Sequence, residues 1–118
     1  MRRPSVEILY FEGCPNYEPT LALVERVAAE LGMEPEIELV EVPDAESAVH
    51  HRFLGSPTVR VDGRDVEPGA EERSRFAFSC RIYRTERGIS EQPDEQCVRE
   101  ALTEAAKRPA APVRARPS

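Results

Sequence analysis

Apolar and polar positions change period several times along the chain, and each change marks an element. Val6, Ile8 and Tyr10 interleave with Glu7, Leu9 and Phe11, which predicts a strand nearly apolar on both faces, as expected of a central strand covered by helices. It should end at Glu12-Gly13. From Thr20 to Leu31 the spacing turns helical: Leu21, Val24, Ala28 and Leu31 share a face, Glu25, Arg26 and Glu30 point away, and Gly32 is the stop signal. Pro19 would remove a backbone hydrogen bond if this helix began at Pro15. With Asn16 as its cap, Pro19 falls harmlessly in the first turn.

Glu36 to Val42 interleaves Glu36, Glu38 and Glu41 with Ile37, Leu39, Val40 and Val42, a second strand ended by Pro43. Asp44 caps a short helix expected to run to about Leu54, with Ala45, Ala48, Val49 and Phe53 inward and Gly55 as its break. Ser56-Pro57 opens a strand from Thr58 to Val61. Asp62-Gly63 is a two-residue hairpin signal leading into Arg64 to Glu67. Residues from about 68 to 93 read as an insertion beside the core, with an aromatic-rich stretch from Arg75 to Tyr83 and a turn and loop from Arg84 to Gln92. Asp94 caps a last helix through about Lys107, with Val98, Ala101, Leu102 and Ala105 inward. Residues 108–118 are mostly Pro, Ala and Arg and predict a disordered tail.

The 118 residues suit one domain, expected over residues 1–107. A net charge of −6 with no basic stripe disfavours nucleic acid and anionic membrane as partners. Apolar runs fall far short of the roughly 20 residues that cross a bilayer, and Met1-Arg2-Arg3-Pro4 leads into no signal-peptide apolar region, so a cytoplasmic location is expected. Three widely spaced cysteines do not form a secreted disulfide framework; in a reducing compartment such thiols are catalytic, metal-binding or simply buried.

Gly13-Cys14-Pro15 stands out because it lies between a strand and a helix, where the N–H groups and positive end of a helix start stabilise a thiolate. A thiolate there attacks disulfides, peroxides or soft metal ions. The bland alternative, a structural thiol, fits poorly with a cysteine between Gly and Pro at a turn. Cys80 is the second candidate. If Arg75 to Tyr83 is extended, however, Phe76, Phe78, Cys80 and Ile82 share one face, and Cys80 is one more member of a buried row. Cys97 lies one position off the inward face of the last helix, where an inert, partly buried thiol is the usual outcome. His50-His51 are neighbours about 100° apart on a helix and cannot clamp a metal as an i, i+4 pair does. Arg60, Arg64, Arg81 and Arg84 flank the hairpin and the Cys80 segment; each is either a solvated surface charge or a partner for a thiolate or a ligand carboxylate.

A strand, Gly-Cys-Pro and a helix, followed by Ser56-Pro57-Thr58 before a later strand and hairpin, resemble the thioredoxin-like superfamily in its short, glutaredoxin-like form. More narrowly, Tyr10 to Asn16, Phe53 to Val59 and Ser79-Cys80-Arg81-Ile82-Tyr83 look like a family of small bacterial thioredoxin-like (seleno)proteins, some loosely labelled alkylmercury lyase. The resemblance implies a three-layer α/β/α domain with a mixed sheet of about four strands and the insertion before the last helix. It implies Cys14 as nucleophile, and Pro57 as a cis-proline against the active sulfur. A cis bond there would present the Ser56 and Thr58 backbone to a bound thiol chain as a short added strand. Pro15 and Tyr17 would border the same site.

Tyr17 occupies the place of the second cysteine of a dithiol thioredoxin, so a local disulfide cannot form. Tyr17 either donates a hydrogen bond to a sulfur or oxygen, or packs over the loop. The thiol partner is then a small-molecule thiol or a distant cysteine such as Cys80. Three functions follow as expectations: a thiol-dependent oxidoreductase acting on a thiol or disulfide substrate, capture of a soft metal or organomercury by Cys14 and Cys80, or an interaction module without turnover. None requires a cofactor.

Overall fold

In the computed structural model, the described residues are 4–15, 17–67, 69–70, 76, 81–85 and 88–107, with the side chain of Arg84 excepted. Strand β1 (Ser5–Tyr10) forms the centre of a sheet with β2 (Glu36–Glu41), β3 (Thr58–Val61) and β4 (Arg64–Asp65). The order is β2-β1-β3-β4. β1 runs parallel to β2, with Val6 opposite Ile37 and Tyr10 opposite Glu41, and antiparallel to β3, with Val6 opposite Val61 and Leu9 opposite Thr58. The sheet is therefore mixed. Helix α1 (Tyr17–Glu30) crosses from β1 to β2, α2 (Ala45–His50) from β2 to β3, and α3 (Glu95–Lys107) closes the described chain.

The strand period of two places these helices. Val6 and Ile8 of β1 face one side, where they pack with Val59 and Val61 of β3, Val24, Val27 and Ala28 of α1, and Val98, Leu102 and Ala105 of α3. Leu9 faces the other side and packs with Val42, Phe53 and Ala48 of α2. A strand apolar on both faces is thus buried on both, giving an α/β protein with helices on each face of a mixed four-stranded sheet. Among the described residues no helix is long and apolar enough to cross a membrane.

Local chemistry explains most boundaries. α1 begins at Tyr17, so Pro19 sits among the first-turn positions whose N–H groups have no intrahelical acceptor. Asn16, its expected cap, lies outside the described residues. Met33 N–H reaches the Ala28 carbonyl at 2.8 Å to close the helix at its far end. Asp44 caps α2 through a 2.8 Å bond from the Ser47 N–H, and Asp94 caps α3 through a 2.9 Å bond from the Gln96 N–H. Asp62 and Gly63 both take positive φ, 52° and 82°, the two left-handed residues that a tight hairpin needs.

Four expectations need correction. α2 stops at His50 and does not reach Leu54. Arg52 turns left-handed at φ 54°, Phe53 N–H bonds back to the Ala48 carbonyl at 2.8 Å, and the Arg60 guanidinium covers the His51 and Arg52 carbonyls at 2.7 and 3.0 Å. Phe53 is thereby swung into the core while Ala45 and Val49, expected inward, are exposed. The hairpin strand beginning at Arg64 ends at Asp65, short of Glu67. Asp65 Oδ1 accepts the Glu67 N–H at 2.9 Å and turns the chain out of the ladder. The stretch from Arg84 to Gln92 is not simply loop: β5 (Tyr83–Thr85) pairs antiparallel with β6 (Gly88–Ser90). Finally, Ile82 is exposed, and its neighbours Arg81 and Tyr83 are buried in its place. The expected disordered tail, residues 108–118, and most of the aromatic stretch before Arg81 lie outside the described residues.

Candidate functional site

Cys14 follows the carboxyl end of β1, the end from which the parallel pair β1/β2 opens into connecting loops, and ligand sites of α/β sheets favour that edge. Its N–H donates to the Phe11 carbonyl at 3.1 Å, which tightens the turn through Glu12 and Gly13 before α1. The Cys14 side chain is a free thiol, only 4 % exposed. Pro15 is exposed and Tyr17 half-buried.

The ring of Tyr17 stacks on Tyr10, with centroids 4.3 Å apart and planes 20° from parallel. Its hydroxyl is held above the ordinary phenol range by desolvation first, then by the carboxylate of Glu18, with Tyr10 and a charged Cys14 adding to the same direction. Tyr17 is thus a neutral hydrogen-bond donor, three residues beyond Cys14 at the start of α1.

Ser56, Pro57 and Thr58 come to the same end of the sheet through the β1/β3 register. Leu9 pairs with Thr58, so the chain one and two residues further on brings Phe11 against Ser56, whose Oγ accepts the Phe11 N–H at 3.4 Å. The Ser56-Pro57 peptide bond is cis. All three residues are buried. Thr58 donates its hydroxyl to the Gly55 carbonyl at 2.6 Å.

A buried cluster that sequence reading did not assemble holds this segment. Arg81 N–H donates to the Ser56 carbonyl at 2.9 Å, and the Tyr83 hydroxyl donates to the Pro57 carbonyl. The Arg81 guanidinium grips Asp65 through two bonds, 2.6 and 3.0 Å, and reaches Glu67 at 3.0 Å and Thr58 Oγ1 at 3.1 Å. Four of its five N–H donors are used, and Nε has no hydrogen-bond partner among the described residues. The same cation lies 4.3 Å from the centre of the Tyr83 ring.

Burial alone would lower the Arg81 pKa, yet Asp65, Tyr83 and Glu67 keep it above the usual guanidinium range. The Tyr83 hydroxyl is raised well above the ordinary phenol range by burial, with Asp65 and Glu67 adding to the shift and Arg81 opposing it. Tyr83 therefore stays a donor to Pro57. The only sequence signal for this cluster was the alternation Arg81-Ile82-Tyr83; nothing in it named Asp65 and Glu67 as partners.

The other candidates fall elsewhere. Arg81 is consumed by its own carboxylates, and Arg60 by the carbonyls that end α2, so neither guanidinium is directed at Cys14. Arg64 and Cys97 line a cleft of about 680 Å³ between the hairpin and α3 that does not include Cys14. His50 is exposed and His51 half-buried, their rings edge to face at 5.2 Å. Cys80 lies outside the described residues. Among the described residues no three His, Cys, Asp or Glu side chains group as a metal site.

Fold and site together define an α/β protein with a buried free thiol at the carboxyl end of its central strand and, brought to the same end of the sheet, a buried Ser-Pro-Thr segment held by Arg81 and Tyr83. No protein-family model matches the chain, and a search of curated proteins yields no match.

Proposed function

We propose that this protein is a thioredoxin-like, thiol-dependent oxidoreductase whose nucleophile is Cys14. The observation that carries the reading is the shared location of Cys14, Tyr17 and the Ser56-Pro57-Thr58 segment at one end of the sheet, reached from two separate stretches of chain. The Cys14 thiolate attacks one sulfur of a disulfide. That S–S bond breaks, a mixed disulfide forms on Cys14, and the departing thiolate takes a proton from solvent. In the second step another thiolate attacks the Cys14 sulfur. If it comes from a small thiol, Cys14 is released and a new small disulfide leaves; if it comes from Cys80, a Cys14–Cys80 disulfide forms and the bound thiol leaves.

A role for Cys80 is supported by its chain neighbour Arg81, whose N–H is bonded to the Ser56 carbonyl at the same end of the sheet. Tyr17, a neutral donor three residues after Cys14, is assigned to hydrogen-bond the sulfur that carries charge as the S–S bond opens. The alternative, capture of a soft metal by Cys14 and Cys80, is separated from this one by the same experiment.

Reduced protein is treated with a small disulfide, and each cysteine is followed by mass spectrometry in the wild type and in Cys14→Ser and Cys80→Ser variants. The expected result is a mixed disulfide on Cys14 that persists longer in Cys80→Ser and is absent in Cys14→Ser. An unmodified Cys14, with stoichiometric uptake of mercuric ion by the wild type, would replace redox chemistry by metal capture.

A further inference from the structure

We propose that the disulfide partner of Cys14 is a low-molecular-weight thiol compound and not a polypeptide docked as an added strand, because the chain itself occupies the backbone groups that such a strand needs. The inference rests on the role of Cys14 proposed above. A peptide that adds to a sheet draws its affinity from a run of free N–H and C=O groups along one edge. At the Cys14 end of the sheet that edge is the outer flank of β3 and of the Ser56-Pro57 segment before it, and it is already paired. Val66 N–H takes the Val59 carbonyl at 3.0 Å, Tyr83 takes the Pro57 carbonyl and Arg81 N–H takes the Ser56 carbonyl at 2.9 Å. Pro57 has no N–H to offer.

Arg81 and Tyr83 point inward with Ile82 outward, the alternation of an extended segment, so the occupant has the geometry that an incoming strand would have. It is also hard to displace. Lifting it away would separate a 1 % exposed guanidinium from Asp65 and Glu67 and leave buried charges unpaired. The edge strand on the far side of the sheet, β2, carries Glu36, Glu38 and Glu41, all exposed, a charge pattern that discourages edge pairing. Cys14 itself shows only 4 % of its surface, an opening suited to a compact reagent.

The chemistry balances with a small disulfide as oxidant: Cys14 bonds to one of its sulfurs, and the other leaves as a thiolate that takes a proton from solvent. The test uses the full chain, reduced, with two reagents: hydroxyethyl disulfide, and an extended neutral peptide whose one cysteine carries the same hydroxyethyl mixed disulfide. Rates of Cys14 modification are read by mass spectrometry and divided by the rates of the same reagents with a free small thiol. The normalised rate with the peptide is expected to be lower by about tenfold or more, about 1.4 kcal/mol in barrier. A peptide that reacts as fast as hydroxyethyl disulfide overturns the inference and leaves Cys14 as the nucleophile. A Cys14 inert to both reagents overturns the proposed function and this inference together.

Tyr83→Phe supplies a second readout, since it frees the Pro57 carbonyl without touching Cys14. Its peptide rate is expected to move toward its small-disulfide rate. An unchanged ratio in a folded Tyr83→Phe protein overturns the occupied edge as the cause.

Discussion

Gly55 is the residue on which the clamped segment turns. Its φ of +125° is a conformation that L side chains rarely adopt, and a Cβ added there would lie 2.8 Å from Arg81 Cβ and 2.9 Å from Arg81 Cα. Both neighbouring atoms belong to a segment fixed by its own hydrogen bonds, so neither yields cheaply. Gly55→Ala is expected to cost more than about 2 kcal/mol, the scale of a strained backbone with a steric clash added to it. Urea denaturation monitored by circular dichroism reads this directly, and a loss below 1 kcal/mol, the scale of an ordinary Gly replacement, would mean that the segment relaxes. Sequence reading made Gly55 the break of a helix that in fact stops at His50. Its close approach to a residue 26 positions later was invisible, because no local pattern records who packs against a missing side chain.

At the scale of elements, the α1/α3 pair shows what charge contributes to this fold. Arg26 and Arg99 bridge Glu30 and Glu95 across the two helices at 2.6–3.1 Å. Glu30 is held below the usual carboxylate range by Arg99 and then Arg26, and Glu95 by Arg26 and then Arg99. Asp44, at the start of α2, is lowered by the backbone N–H of Ser47. A carboxyl with a depressed folded pKa adds stability that is present above its unfolded value, about 4 for these groups, and lost as pH falls through the lower folded value. Melting temperature should therefore be flat from neutral pH to about 5 and fall below about 4. The groups are exposed and screened, so the double replacement of Arg26 and Arg99 by Gln should flatten the acid limb only partly and lose its effect in high salt. An acid limb unchanged by that double variant would remove the helix–helix bridges as its cause. The helices themselves were readable from spacing and caps; the true end of α2 was not, because Arg60, eight residues beyond Arg52, finishes it from outside the helix.

For the molecule as a whole, the Arg81 cluster ties three regions together: the hairpin through Asp65, the segment at the Cys14 end of the sheet through Ser56 and Thr58, and the later part of the 68–93 stretch through Tyr83. Buried ion pairs of this kind add little over an apolar packing, but losing one partner leaves the other charge stranded. Asp65→Asn is expected to cost about 3–5 kcal/mol in urea denaturation and to slow mixed-disulfide formation at Cys14, as the Ser56-Pro57 segment loses its support. A stable Asp65→Asn protein with unaltered Cys14 kinetics would reduce the cluster to a local contact. The order of strands and helices through the hairpin, the last helix, the central strand, the hairpin turn and the candidacy of Cys14 were all determined by the sequence itself. Each depends on periodicity, caps or turn residues, which act over a few neighbouring positions. Which residues share the Cys14 end of the sheet was decided only in the tertiary structure, and so was the reversal that buries Arg81 and Tyr83 and exposes Ile82. Hydrophobicity would bury the isoleucine, but two carboxylates and two carbonyls brought from distant parts of the chain satisfy the arginine and tyrosine. Partners so far apart in sequence meet only after the sheet has formed.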